Sequence, residues 1–373
     1  MKILHIISSG GMYGAEAVIL NLSRTLNESG HSSVLGVFSN SVNPNLQLHE
    51  AATKEDIESH VIPCEGQMDR AVLGRIRDLA ARTKADVVHA HGYKADIYAY
   101  FALRNSRMPL VSTCHGWIDI TPIVRLYGVA DRMTLRKFGA VVAVSDEVKL
   151  KLLKAGTSED KIHLIRNGID LRPFDNAQPS LRNGLARGNP PIVGLIGRLS
   201  IEKGVDIFLE AAARVLIELP STRFVIIGEG PERDKLGSLI DRLKIRDNVS
   251  MLGRRTDMPS VYASLDMMVS SSRQEGLPIA ILEGMASRLP IVATAVGEVP
   301  SLVSTGKTGV LVSPQDPEAL ASAMATLLQN PAEQQRLGSA ARQLIEDEFS
   351  AGRMTAEYLK VYVYETALLE KTK

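Results

Sequence analysis

The chain is poor in cysteine and aromatic residues and carries no surplus of either charge. Two cysteines in 373 residues, Cys64 and Cys114, give neither a disulfide framework nor metal-ligand spacing, and two free thiols fit a reducing compartment. Lys and Arg number 43 against 42 Asp and Glu, a formal charge of +1, which excludes the large basic excess of a nucleic-acid binder. No run reaches the ~18 apolar residues of a membrane span, and the apolar stretch at the N-terminus is too short for a signal peptide. A cytoplasmic protein is expected. There is also no Asp-x-Asp triplet anywhere in the sequence. With 45% hydrophobic, 23% charged and 5% aromatic residues, the composition is that of an ordinary α/β protein long enough for two domains.

What the chain does have is a recurring order of strand, loop and helix. Residues 2–9 read as a buried strand, followed by Gly10-Gly11-Met12-Tyr13-Gly14 and a helical pattern that stops at Gly30. Such a loop lets backbone approach a diphosphate closely. A plain tight turn is the competing reading, because the spacing of a dinucleotide fingerprint is missing. Strand-like segments recur at 31–39, 60–63, 86–91, 109–115, 139–145 and 161–166, which predicts a parallel sheet covered by helices on both faces. Ligands of such sheets sit at the carboxyl ends of the strands, where His91, His115 and Ser145 fall. For each of these three a satisfied structural role is the alternative.

Beyond residue 170 the sequence turns rich in Asn, Pro, Gly and Arg and loses periodicity up to Pro191. We expect domains at 1–175 and 190–350 and a last helix within 351–373. The second half restarts the rhythm, with strands at 192–197, 223–228, 248–253 and 266–271 and helices over 202–219 and 232–243. Arg198 and Lys203 flank the turn Leu199-Ser200-Ile201-Glu202 at a helix start, so both cations can reach one anion. Two solvated surface cations would give the same pattern.

The most informative stretch runs from Ser272 to Glu283. Glu275-Gly276-Leu277-Pro278 is turn chemistry, and the run over 279–288 suits a helix with Pro278 at its first position. The amides of Gly276, Leu277 and Ile279 then stand at a helix N-terminus, able to bind hydroxyl or phosphate oxygens. Glu275 lies in the loop and Glu283 in the helix. With seven residues between them they can hold two parts of one polyhydroxylated ligand. Taken alone, the pair also fits two solvated glutamates.

Glu-x7-Glu, the Glu-Gly-Leu-Pro tetrapeptide and the following Glu283-Gly284-Met285-Ala286 resemble the signature of the retaining glycosyltransferases of family 4. The resemblance covers essentially the whole chain and is densest over 192–312. It implies a GT-B fold, two Rossmann-like doubly wound domains facing each other across a cleft, with the last helix crossing back to the N-terminal domain. It further implies transfer of a sugar from a nucleotide-diphosphate donor to a glycan or lipid-linked acceptor, with retention of configuration, in cell-surface polysaccharide or glycolipid assembly and without a cofactor.

By the same resemblance, Arg198 and Lys203 bind the donor diphosphate, a task that metal-dependent transferases give to an ion held by Asp-x-Asp. Glu275, with Gly276, Leu277, Pro278 and Ile279, orients the sugar hydroxyls, and Glu283 holds the ribose. His115 lies near the donor sugar, Gly11 faces the diphosphate, and Gly228 and Leu252 border the base. A nucleotide-sugar epimerase of the same architecture and a non-catalytic partner subunit are the alternatives.

Between Arg125 and Lys154 seven cations stand against three anions. Ile123, Leu126, Tyr127 and Phe138 are expected to supply apolar contacts beside them for peripheral binding to the inner face of the cell membrane. Solvated helix faces are the alternative there.

Overall fold

The computed structural model describes residues 1–9, 11–12, 14–66, 69–115, 122–182 and 190–371, without the side chains of 122–126 and 370–371. Gly10, Tyr13 and Gly116, and the side chains of Ile123, Arg125 and Leu126, therefore lie outside the description.

The chain divides into two compact units. Unit 1 comprises Met1–Gly168 and the segment from Ala351 onward, and unit 2 is Ile169–Ser350.

Unit 1 alternates β1 (Lys2–Ile7), α1 (Gly14–Glu28), β2 (Ser32–Ser39), α2 (Gln47–Lys54), β3 (Glu58–Pro63), α3 (Ala71–Thr83), β4 (Val87–His91), α4 (Tyr93–Leu103), β5 (Leu110–Cys114), α5 (Pro122–Leu135), β6 (Ala140–Ala143), α6 (Asp146–Lys154) and β7 (Ile162–Leu164). The seven strands lie parallel in the order β3-β2-β1-β4-β5-β6-β7. The central strands β4, β5 and β6 are buried along their whole length, as a parallel sheet covered on both faces requires. Leu4, Ile6, Val88 and Val141 pack on one face, and Ile7, Leu35 and Val37 on the other.

Unit 2 opens with the short α7 (Arg172–Asp175) and continues through β8 (Ile192–Ile196), α8 (Val205–Glu218), β9 (Arg223–Ile227), α9 (Arg233–Leu243), β10 (Val249–Gly253), α10 (Met258–Tyr262), β11 (Met267–Ser270), α11 (Ile279–Ala286), β12 (Ile291–Thr294), α12 (Val299–Leu302), β13 (Gly309–Val312), α13 (Pro317–Leu328) and α14 (Pro331–Glu348). Its six strands are parallel in the order β10-β9-β8-β11-β12-β13. In both sheets the chain works outward from its first strand in one direction and then in the other. The reversal falls between β1 and β4 in unit 1 and between β8 and β11 in unit 2, and it is at such points that loops part to admit a ligand. The last helix, α15 (Ala351–Lys371), belongs to unit 1, where the Tyr358 and Tyr362 hydroxyls meet Thr113 and His89.

Three expectations need correction. No single helix covers 202–219: Ile201–Lys203 form one 3₁₀ turn, Gly204 takes the left-handed conformation at φ +59°, and α8 starts only at Val205. Pro278 caps α11 from an extended conformation, ψ 107°, and does not occupy its first turn. The helix it caps ends at Ala286, two residues before Arg288, whose φ of +58° no α-helix can contain.

Candidate active site

The residues singled out in the second half gather at the carboxyl edge of the unit 2 sheet. After β8 the chain passes exposed Arg198 and makes the 3₁₀ turn that carries Lys203. After β11 it makes the loop Ser271–Leu277 and enters α11. These two loops are the ones on either side of the sheet's reversal point.

Backbone and side chains lock them together. Arg273 N–H donates to Glu202 O at 2.7 Å, Ser271 Oγ donates to Gly204 O at 2.8 Å, and the Arg273 guanidinium clasps Asp206 through two bonds of 2.8 and 2.7 Å. Thr294 Oγ1 on β12 donates to Ser272 O at 2.6 Å. Gly204 is obligatory by fit as well as by φ, since a Cβ there would stand 2.1 Å from Ser271 O.

Within this clamp Lys203 Nζ donates to Glu275 Oε1 at 2.6 Å, and Ser272 Oγ donates to the same oxygen at 2.6 Å. The Glu275 side chain is only 9% exposed, against 27% for Lys203. An ammonium has three protons, so two remain for an anion in front of the turn. Arg198 makes no hydrogen bond or ion pair among the described residues, and its charge helps to hold the Glu202 carboxyl below its usual range, after the Ser200 hydroxyl as first cause. On the far side of Glu275, the amides of Gly276, Leu277 and Ile279 find no partner among the described residues. The edge therefore presents cations on one side, unspent N–H donors on the other and one ionisable carboxyl between them.

Glu283 sits one turn further along α11 and accepts a bond of 2.8 Å from the Tyr262 hydroxyl. Burial raises its pKa and the Tyr262 bond opposes the rise. Tyr262 is fully buried and was not legible as a partner, because it lies 21 residues earlier on α10. At the ends of β9 and β10, Gly228 (φ +140°) donates its N–H to Gly253 O at 2.9 Å, and a Cβ on Gly228 would stand 1.9 Å from Gly197 O. Leu252, next to it, is half-buried in β10.

In unit 1, Gly11 (φ +140°) turns its N–H inward to Ser9 Oγ at 3.2 Å. His115 follows β5, and its Nε2 is buried without a partner among the described residues. Burial lowers its pKa to about 4, so the ring is neutral at physiological pH.

Phe138, expected at a membrane-facing surface, is instead fully buried in the unit 1 core. Among the described residues, the exposed large apolar side chains of that region are Val129 and Met133 on α5 and Leu150 on α6.

Two doubly wound parallel sheets of this kind are the architecture of the GT-B class. The sequence model for Glycosyltransferase Family 4 matches residues 12–172, and that for Glycosyl transferases group 1 matches 178–344. Over 305 residues the chain is 30% identical to the alpha-D-kanosaminyltransferase of Streptomyces kanamyceticus, covering 77% of this chain and 78% of that protein. It is 25% identical over 372 residues to the N-acetyl-alpha-D-glucosaminyl L-malate synthase of Bacillus anthracis, covering 95% and 94%. Among solved structures it superposes on Anabaena Alr3699/HepE, crystallised with UDP and glucose, at a TM-score of 0.83 and 23% identity over 98% of this chain and 100% of that one. The chain belongs to glycosyltransferase family 4 and is a glycosyltransferase with the GT-B fold.

Proposed function

We propose that this enzyme moves a sugar from a nucleotide-diphosphate donor to an acceptor hydroxyl with retention of anomeric configuration, in the assembly of cell-surface polysaccharide or glycolipid. The observation that carries the reading is the Lys203–Glu275 contact inside the clamped loops, with exposed Arg198 on the same connection between β8 and α8 as Lys203. As the bond from the anomeric carbon to the phosphate oxygen breaks, negative charge grows on the departing diphosphate. Arg198 and the two remaining Lys203 protons are already in place to stabilise it, the kind of preorganised charge that lowers a transition state. The same charges serve where other transferases use an ion held by Asp-x-Asp.

Glu275 is read as an orienter of the sugar. Its Oε1 is occupied by Lys203 and Ser272, which suits a fixed acceptor of hydroxyl hydrogen bonds better than a nucleophile that must form a covalent bond. The proton of the attacking hydroxyl then goes to the leaving diphosphate on the same face of the sugar, and configuration is kept. Glu283 is assigned to the ribose hydroxyls, Gly228 and Leu252 to the base, Gly11 to the diphosphate and His115 to the donor sugar. Relatives and neighbours named for hexosaminyl transfer and for UDP and glucose support a nucleotide-linked hexose.

A lipid-linked acceptor at the inner face of the membrane accords with Val129, Met133 and Leu150 standing exposed among Arg136, Lys137, Lys151 and Lys154. No helix of the described residues is long and apolar enough to cross a membrane.

The test is to incubate the enzyme with a panel of nucleotide sugars and acceptors, follow released nucleoside diphosphate by mass spectrometry, and read the early product by proton NMR. Release from one donor with the anomeric configuration kept is expected. An inverted anomer would overturn the mechanism.

A further inference from the structure

Unit 1 contains a feature that the chemistry above does not use. Four histidine rings form a continuous run: His5 on β1 and His89 and His91 on β4, all buried, and the half-buried His115 after β5. Ring centroids are 5.1 Å apart for His5 and His89, 4.0 Å for His89 and His91, and 6.1 Å for His91 and His115. Burial holds all four well below the usual histidine range, so each carries one N–H and one lone pair.

His89 is committed at both nitrogens. Nδ1 lies 2.7 Å from the Tyr362 hydroxyl and Nε2 2.7 Å from Thr113 Oγ1, which in turn lies 2.9 Å from the Tyr358 hydroxyl. Ring nitrogens of His5, His89 and His91 come within 4.8 Å of one another, close to the spacing of a metal site. The two hydroxyls on His89 argue against that use, because a ligating nitrogen must offer a free lone pair to the ion.

His5 and His91 face each other, Nδ1 to Nε2, at 3.1 Å. Whichever ring donates, their outer nitrogens are left as one donor and one acceptor. Neither His5 Nε2 nor His91 Nδ1 has a partner among the described residues. Apolar side chains of similar volume would avoid that burial penalty, so the cluster weakens the core in which it sits. Local rules of stability are broken in this way where function requires it.

We infer that His91 is a positioning residue for His115, held in place by the last helix. Tyr358 and Tyr362 on α15 fix Thr113 and His89, His89 packs against His91, and the His91 ring, stacked on His115 at 28°, sets the plane of the ring assigned to the donor sugar. The inference rests on that assignment of His115.

His91→Phe, with the smaller His91→Leu in case the larger ring overpacks, replaces the imidazole by an apolar filler; it removes the unpaired His91 Nδ1 and frees His5 Nδ1, so two buried ring nitrogens stay unpaired as in wild type. The expected result separates stability from activity: a melting temperature close to wild type, kcat lower by about ten- to a hundredfold, and donor KM within about twofold. Tyr362→Phe, which removes one hydroxyl from His89, should lower kcat in the same direction by less. In a His115→Ala background His91→Phe should cause no further loss, because residues acting through one another are not additive. Wild-type kcat in His91→Phe or His91→Leu while His115→Ala is impaired would overturn this inference and leave the role of His115 standing. An undiminished further loss on top of His115→Ala would overturn it as well. Wild-type turnover by His115→Ala would overturn both.

Discussion

Lys203 and Glu275, 72 residues apart in the chain, share a bond of 2.6 Å at the point where the unit 2 sheet reverses direction. The pair sits in a frame of backbone contacts, so the two charges are placed by the fold and not by each other. That separates the consequences of removing each cation.

Arg198→Ala takes away an exposed charge with no ion pair among the described residues, and should lower kcat by about 10²–10³-fold with little change in melting temperature. Lys203→Ala should cost a similar factor in rate and also destabilise by about 1–3 kcal/mol, because the nearly buried Glu275 keeps only Ser272 as a partner. Steady-state kinetics beside thermal melts check both. Wild-type rates in the two variants would place the diphosphate elsewhere.

Gly204→Ala and Gly228→Ala should each disturb the donor edge more than an alanine in a surface loop would. In both the new Cβ would run into a carbonyl oxygen, that of Ser271 at 2.1 Å or of Gly197 at 1.9 Å, and in both φ is positive. The expected outcome is a rise in donor KM and a loss of about 1–3 kcal/mol in urea unfolding. Gly276→Ala, whose Cβ would point into open space, is the control and should leave stability within about 0.5 kcal/mol of wild type.

Acid should unfold unit 1 early. Unfolded histidines take up protons near pH 6.5, whereas in the folded state burial delays this to about 3 for His5 and about 4 for His115, with His89 and His91 also well below normal. The unfolded state thus binds more protons between these limits, and stability falls as pH drops below about 6.5. Each such group contributes a slope of up to about 1.4 kcal/mol per pH unit inside its window. Urea unfolding at pH 7, 6 and 5 checks the sign, and a stability that rises towards pH 5 would contradict it.

Asp96 works in the opposite sense. Burial raises its pKa well above normal, the neighbouring Asp131 raises it further, and the Ser112 hydroxyl at 2.7 Å opposes the shift. A carboxyl that keeps its proton in the folded state stabilises at low pH, and that contribution is lost as pH rises through the folded pKa. Asp96→Asn can keep the Ser112 bond without the charge. It should gain about 1–3 kcal/mol at pH 7 and flatten the decline towards alkaline pH. A variant less stable than wild type at pH 7 would contradict a burial cost at Asp96.

Much of this architecture is legible in the residues. Alternating apolar runs and turn chemistry locate the strands, and Glu275 with its Gly-Leu-Pro neighbours marks the loop at the sheet edge. What is not legible is pairing across distance. Nothing near Glu283 in sequence announces Tyr262, and nothing near Lys203 announces that its turn is locked by Ser271 and Arg273. The histidines show the same limit from another side. His91 and His115 stand out because they fall at strand ends, while His5 and His89 face inward, and His89 acquires meaning only through Tyr362, 273 residues further on. Gly204 fails for a local reason: a glycine inside an apparent helix reads as a weak helical residue, whereas here it separates a 3₁₀ turn from the helix that follows.

The membership of α15 in unit 1 has a consequence for the order of events during synthesis. Unit 2 is a continuous segment, so it can reach its native state on the ribosome once Ser350 has emerged. Unit 1 begins first and finishes last, since His89 and Thr113 wait for tyrosines made about 250 residues later. Until then the part of the sheet around His89 and Thr113 lacks its cover from α15. That makes it a surface on which a holding chaperone would act, and one that a C-terminal truncation would leave permanently uncovered.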